Sequence, residues 1–255
     1  MSVVQTTVDG PLGRITLNRP ERMNSITVEL AAELADALRR LGRSDDVNVI
    51  VVRGSGGNFC AGGDFDEVER LRAEGPEALG ALFTTFRAAC DTIAEVAVPV
   101  VAAVEGVAAA GGFEFLQAAD IVLVSDAARI ADNHIRFGMI PGGGSTARLP
   151  RILGRQQAMG LLLSGDRLSG RDAVELGLAY RSFPPETFDA DVEAFLGALA
   201  GRSRRSTTTI KRLVDSGLQE TLGQALSNET DAVVRHIIGD GADAAAAFGA
   251  REART

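Results

Sequence analysis

The sequence predicts an α/β protein: a mostly parallel sheet built over residues 1–195, followed by a helical part over 196–255. Three observations carry this. Residues 47–53, 98–104 and 121–125 are nearly unbroken apolar runs rich in β-branched residues, too short for helices, as expected of strands covered on both faces. Segments of helical spacing (78–96, 111–118, 145–153) alternate with them, the pattern of βα units. From Ser169 onward helical patterns dominate, at 169–176, 185–200, 206–216 and 220–238, so the change of character falls near 185–205.

Taken in order, residues 2–8 and 14–18 are β-rich runs around Asp9-Gly10-Pro11-Leu12-Gly13, which reads as a hairpin. Residues 27–41 place Leu30, Leu34, Ala37, Leu38 and Leu41 on one helical face, with Thr27 as the N-cap. No repeat of fixed period is visible, and the Ala-rich run 241–247 reads as a terminal helix.

With 255 residues, the chain is long enough for one large domain, or a domain with an appendage, and to bury a core without disulfides or metal. Lys and Arg number 26 against 34 Asp and Glu, a net charge of −8, which argues against nucleic-acid or anionic-membrane partners. Cys60 and Cys90 are too few for a disulfide framework or zinc site and read as buried thiols of a reducing compartment. Residues 1–22 lack the basic and apolar regions of a signal peptide. The most apolar stretch, 96–110, is broken by Pro99, Glu105 and Gly106 and is too short to span a bilayer. The expectation is a cytoplasmic protein.

Three glycine-rich stretches follow strands, at 54–64, 108–114 and 140–145. None is a nucleotide fingerprint: Phe59 replaces the third glycine of the first, where no helix is expected to follow directly, and no P-loop motif occurs. Each stretch alone is equally a tight turn. Gly111 and Gly112, however, stand where a helix begins, with Glu114 in its first turn. Unpaired N–H groups and the helix dipole there suit a developing oxyanion, although a first-turn carboxylate also stabilises a helix without catalysis. Of the two histidines, His236 lies among Val233, Val234, Ile237 and Ile238, and reads as a packed or surface residue. His134 lies in a polar run before the third glycine stretch, placed for acid–base work or held by Asp132 as a capped loop residue. No GxSxG elbow and no metal-ligand spacing are present.

These residues, in this order, resemble the crotonase (enoyl-CoA hydratase/isomerase) superfamily. The likeness runs from about residue 3 to 214. It rests on Leu17-Asn18-Arg19-Pro20 through Asn24, Phe59-Cys60-Ala61-Gly62-Gly63-Asp64, the block from Pro99 to Glu114 with Ala119-Asp120-Ile121, Gly138 to Gly144 with Arg148-Leu149, and Ser164 to Leu168 with Ala173 and Gly177-Leu178. The resemblance implies a spiral of ββα turns, a helical C-terminal trimerisation region, and homotrimers that often pair as hexamers. It implies an acyl-CoA thioester as substrate and no cofactor beyond the coenzyme A of that substrate. By position the N–H groups of Gly63 and Gly111 form the oxyanion hole, and Ala61, Gly62, Gly63, Asp64, Phe65, Asp66 and Gly111 line the substrate.

Hydratases of the family use two glutamates. The first matches Glu114; the second falls on His134. A Glu/His pair is able to hydrate a 2-enoyl-CoA, the leading expectation, and the substitution equally suits a double-bond isomerase, which needs one base. It also resembles the 6-oxocamphor hydrolase branch, which cleaves a carbon–carbon bond and carries a histidine in a comparable place, although the acidic residue that branch has after Pro-Gly is Gly143 here. A catalytically inactive acyl-CoA binder is the fourth reading. The C-terminus lacks the family's Phe-x-x-Lys-Arg-x-Pro-x-Phe ending, and Lys211 is a candidate for the CoA phosphates. Leu71, Leu79, Leu82, Phe83 and Phe86 are either the acyl pocket or core.

Overall fold

Residues 2–252 are described by a computed structural model of the chain, with side chains as far as 239. A hairpin opens the chain, β1 (Val4–Asp9) and β2 (Leu12–Leu17) pairing antiparallel across Gly10. Next come β3 (Val49–Gly54), β4 (Val100–Val104), β6 (Ile121–Ser125) and β8 (Arg181–Phe183). They add in parallel to give a six-stranded sheet of order β1-β2-β3-β4-β6-β8. A second, small parallel sheet joins β5 (Val107–Ala109) to β7 (Arg129–Ala131). Single bridges Ile26–Gly63, Cys60–Ala108 and Ile130–Leu168 continue it on both sides.

The chain therefore visits the large sheet, then the small one, then a helix, and repeats. After β3 it passes the Cys60 bridge to α2 (Phe65–Glu74) and α3 (Pro76–Glu95); after β4 and β5 comes α4 (Gly111–Leu116). After β6 and β7 come a 3-10 turn, His134–Phe137, and α5 (Ser145–Ile152). This is the spiral of ββα turns.

Both faces of the large sheet are covered, which is why its strands read as unbroken apolar runs. Ile50, Val52, Val100, Ala102 and Val124 share one core with Leu30, Leu34 and Leu38 of α1 (Val28–Gly42) and Ile93 of α3. The alternate residues Val49, Val51, Val101, Ala103 and Leu123 face Phe188, Val192 and Leu196 of α8 (Phe188–Ala200). Arg14 holds Glu193 of that helix by two 2.7 Å hydrogen bonds. The first compact unit runs to Arg204, within the 185–205 range where the sequence pattern changes, and it includes the whole of the helix that completes the sheet's second core.

The unit that begins at Arg205 consists of α9 (Arg204–Gly217) from its second residue on and α10 (Leu222–Glu252), which runs on through the Ala-rich 241–247. Ile210, Leu213, Leu222 and Leu226 line a cavity of about 610 Å³ between them. His236 lies 3.4 Å from Ser206 Oγ across the same pair.

Two helices were not legible in the sequence. The second, α6 (Gly154–Ser164), buries only Ala158 and Leu161, too little for a stripe. The first, α2, buries only Leu71, yet it begins at Phe65 immediately after the glycine stretch, capped by Asp64, whose carboxylate accepts from Glu67 N at 3.2 Å. The expectation that no helix follows that stretch directly is thus corrected. Among the described residues no helix is long and apolar enough to cross a membrane.

Leu38 of α1 has no solvent exposure and belongs to the core that α1 shares with the sheet and α3. Leu38→Ala is expected to cost about 2–5 kcal/mol, read as a lowered urea midpoint at unchanged slope.

Candidate active site

The site is built where the small sheet ends. Ile26 N donates to Gly62 O (2.7 Å) and Asp64 N to Ile26 O (2.9 Å), while Ala109 N donates to Cys60 O (2.9 Å), so the 62–64 and 109–111 segments emerge side by side. They approach too closely for a side chain at Gly62. A Cβ there would lie 2.6 Å from Ala110 Cβ, and its φ of +104° already favours glycine. Ala110 itself has φ +48° and ψ −114°, a strained conformation for an alanine. It is held by Ala110 N to Ala131 O (3.0 Å) and Glu114 N to Ala110 O (2.9 Å). The result is two adjacent N–H groups, of Gly63 and Gly111, that no backbone acceptor among the described residues claims. Gly111 is buried and begins α4; Gly63 is exposed.

The opening motif holds this loop. Asn24, fully buried, accepts from Arg19 N and donates to Ser55 O (2.9 Å) and Asn58 O (2.7 Å). Arg19 pairs with Asp64 at 2.8 Å, and Ser25 Oγ donates to the same carboxylate at 2.9 Å. Burial works against the Asp64 charge, but these donors outweigh it and hold the carboxyl below its usual range. All of Asp64's hydrogen bonds are therefore internal, and they fix the loop beside Gly63. Ala61 N donates to Met23 O (3.0 Å); Phe65 is exposed, and the exposed Asp66 pairs with Arg22 at 3.0 Å.

One turn into α4, Glu114 is 2% exposed. Its Oε1 accepts from Gly143 N (2.7 Å) and Ser145 N (3.2 Å). Burial raises its pKa, and the two N–H groups and His134 only partly offset this. Gly143 has to be glycine: a Cβ would lie 2.5 Å from a Phe86 ring carbon and 2.8 Å from Glu114 Oε2. This geometry leaves no room for the acidic side chain that a 6-oxocamphor hydrolase-like site carries at that place. Arg148 pins the same loop, donating to Gly143 O (2.7 Å) and pairing with Asp91 of α3 (2.5 Å). Ser145 Oγ accepts from Gln117 Nε2 at 2.7 Å, bracing the turn from α4.

His134 stands at the start of the 3-10 turn, its Nδ1 2.7 Å from Asp132 Oδ1. The Asp132 side chain is fully buried and its Oδ2 has no partner among the described residues, so the hydrogen bonds of this carboxylate serve His134. Burial opposes the imidazolium, but the Asp132 hydrogen bond and the charges of Asp132 and Glu114 outweigh it and raise the pKa. The charges of Glu114 and His134 each favour the ionised form of the other. Asp132 reads in the sequence as a simple loop cap; its burial, which the sequence does not display, makes it the partner that sets the histidine.

Of the apolar residues of segment 65–95, Phe83 and Phe86 face Gly142, Gly143 and Gly111, beside the site; Phe86 also belongs to the buried core with Leu71 and Leu82, and Leu79 packs against that core. Both cysteines are buried and free, and burial pushes each thiol up to about 12, so neither is a nucleophile near neutral pH. Among the described residues no cluster of His, Cys, Asp and Glu is placed to hold a metal ion. Lys211 lies on α9.

A model of the family described as enoyl-CoA hydratase/isomerase matches residues 8–244. The 1,2-epoxyphenylacetyl-CoA isomerase of Escherichia coli (strain K12) is 33% identical over 233 residues, covering 91% of this chain and 88% of that protein. The mitochondrial enoyl-CoA hydratase of Pongo abelii is 32% identical over 213 residues, covering 84% and 72%. Among solved structures, an enoyl-CoA hydratase from Polaromonas sp. JS666 superposes with a TM-score of 0.92 at 30% identity, covering 97% of each chain.

The Asp132 contact makes a direct prediction. Asp132→Asn removes the charge that outweighs burial, so the His134 pKa should fall, read by NMR titration of its imidazole. An unmoved value would mean that Asp132 does not set the histidine.

Proposed function

The chain belongs to the enoyl-CoA hydratase/isomerase family, and from that premise we propose that it adds water across the double bond of a 2-enoyl-CoA. The observation that carries this reading is the pairing of a buried, N–H-bound Glu114 with a histidine locked by Asp132, beside the two unclaimed N–H groups of Gly63 and Gly111.

The thioester oxygen accepts from Gly63 N–H and Gly111 N–H, which favours the enolate charge that develops as the β-carbon is attacked. Such a donor is worth about 3–4 kcal/mol of barrier. Glu114 takes a proton from water, whose oxygen bonds to the β-carbon; the imidazolium of His134 gives a proton to the α-carbon. The cycle closes when protonated Glu114 returns its proton to neutral His134. Raised basicity suits His134 to this task, because the acid form persists nearer neutral pH. All these groups belong to the chain, and coenzyme A enters as part of the substrate. Ala61, Gly62 and Gly63, with the exposed Phe65 and Asp66, lie along the approach to the thioester. We further propose a homotrimer, or a pair of trimers, assembled through the helical unit, whose Leu218, Leu222, Ile237 and Ile238 are exposed in the single chain.

A double-bond isomerase is the second reading. It is favoured by the single carboxylate of the pair, since moving a proton between two carbons needs one base. Incubation with trans-2- and trans-3-enoyl-CoAs and mass detection separates the two. Gain of one water supports the hydratase; a shifted double bond at unchanged mass supports the isomerase; unchanged esters across the panel overturn both.

Two predictions follow from the charges. Glu114→Gln should lower turnover by about 10²–10⁴-fold while leaving acyl-CoA affinity nearly intact. A carboxyl whose folded pKa is raised stabilises the fold fully only below its unfolded pKa and loses that contribution as pH rises through the folded pKa. Gln removes the charge and keeps an oxygen for Gly143 N–H, so the thermal midpoint at neutral pH should hold or rise. The second concerns pH. Glu114 has to be ionised and His134 protonated, so the acid limb of kcat should lie above the usual carboxylate range and the alkaline limb above the ordinary histidine value of 6.5. Asp132→Asn should draw the alkaline limb downward.

A further inference from the structure

Glu114 is the one polar residue of α4, whose other members are glycine or apolar, and a second buried polar side chain, Gln117, caps the helix one turn further on. Chemistry fixes the orientation of the Gln117 amide. A backbone carbonyl only accepts, so the group 3.1 Å from Phe113 O is Nε2, and the same nitrogen donates to Ser145 Oγ at 2.7 Å. Both amide hydrogens are thereby used, and Oε1 is left buried with no donor among the described residues. An apolar side chain would avoid that cost, so what a glutamine supplies here is the two donated bonds.

The second of these bonds leads to Glu114. Ser145 is fully buried, opens α5 and follows Gly144, whose φ is +129°. Its N–H is one of the donors that a helix start leaves unpaired, and it falls on Glu114 Oε1 at 3.2 Å, the longer of the two bonds there. The two donors have separate anchors: Arg148 holds Gly143 through its carbonyl, and Gln117 holds Ser145 through its hydroxyl. We infer that Gln117 is a positioning residue: through Ser145 Oγ it keeps the Ser145 N–H on the Glu114 carboxylate and so sets the strength of that base. The inference rests on the role proposed for Glu114 above. Burial works against the Glu114 charge, and the Ser145 N–H is the largest of the influences that oppose it, ahead of His134 and the Gly143 N–H, while Asp132 adds to the effect of burial. The Cys90 thiol of α3 stays neutral up to about 12, and Arg148 is engaged with Gly143 O and Asp91. Gln117 is uncharged and hydrogen-bonded to none of these groups, so its effect on the carboxylate runs through Ser145.

The test follows the Glu114 carboxyl of the resting full chain by pH-difference infrared spectroscopy, with Glu114→Gln identifying its band, alongside the pH profile of kcat with a 2-enoyl-CoA. Gln117→Met keeps the length of the side chain and removes the donor; Ser145→Ala removes the hydroxyl and keeps the N–H. Each should raise the carboxyl midpoint by about one pH unit. The acid limb of kcat should move upward with it, while the alkaline limb, which belongs to His134, stays in place. The double variant should shift no further than the larger single one, because both changes break the same relay. Circular dichroism first establishes that each variant is folded, and where Gln117→Met is not, Ser145→Ala decides. A native midpoint in either folded variant, or a double shift equal to the sum of the two, overturns the inference. An alkaline limb that moves as far as the acid limb marks a general loosening and overturns it as well. The infrared midpoint needs no turnover, so a protein in which it moves and which converts no enoyl-CoA overturns the proposed reaction and leaves the link from Gln117 to Glu114 standing.

Discussion

The close approach of two segments of the small sheet, 60–64 and 107–112, is the constraint on which the rest of the site depends. No side chain fits between them at Gly62, and Gly112 stands as tightly against the Cys60 backbone. The strain at Ala110 is where the chain turns from β5 into α4 within a single residue. That turn leaves the Gly111 N–H without a backbone acceptor among the described residues, beside Gly63, and begins the helix that carries Glu114. A gentler turn would leave room for side chains and would also separate the two donors. The hydrogen bonds of Asn24, Arg19 and Asp64 are best understood as the support for this junction, since they hold the loop that brings Gly63 to it.

Burying Glu114 is the second constraint, and it sets the shape of the 140–145 loop. A carboxylate removed from water needs donors, and here they come from the backbone of Gly143 and Ser145. Backbone donors can reach the carboxylate only if the loop comes close, and Phe86 then excludes any Cβ at Gly143. Arg148 and Gln117 hold the loop in that position from two other elements. The glycines of this stretch thus answer to the carboxylate one turn into α4, not to a phosphate.

Much of this was legible in the sequence, and the exceptions have physical causes. The strands of the large sheet were readable because burial on both faces leaves no polar residue to interrupt them, and α1, α3 and α8 because each presents one apolar face to that sheet. The strands β5, β7 and β8 span three residues each, too few for any period to show. Helix α2 hides because its sequence is polar almost throughout and its cap, Asp64, is shared with Arg19 and Ser25. Among the candidate residues, Glu114, Gly63 and Gly111 stand out by motif. The role of Asp132 does not, because a buried aspartate and an exposed loop cap are spelled alike; only its burial and the 2.7 Å contact to His134 separate them.

The same contact bears on why a histidine can stand where the family's hydratases have a second glutamate. Two carboxylates sharing a buried site oppose each other's ionisation, so one of them is driven toward its neutral acid form. A carboxylate and an imidazole do the reverse. The charge of His134 favours the ionised form of Glu114, and the charge of Glu114 favours the protonated form of His134. With Asp132 adding its own negative charge beside the ring, the pair is biased toward one base and one acid present together, the combination that the proposed hydration requires. A carboxylate pair reaches that condition by sharing one proton between like groups; this pair reaches it by attraction between unlike ones. The cost appears at Asp132 Oδ2, a buried oxygen with no donor among the described residues, in a carboxylate whose other oxygen, Oδ1, is bonded to the ring.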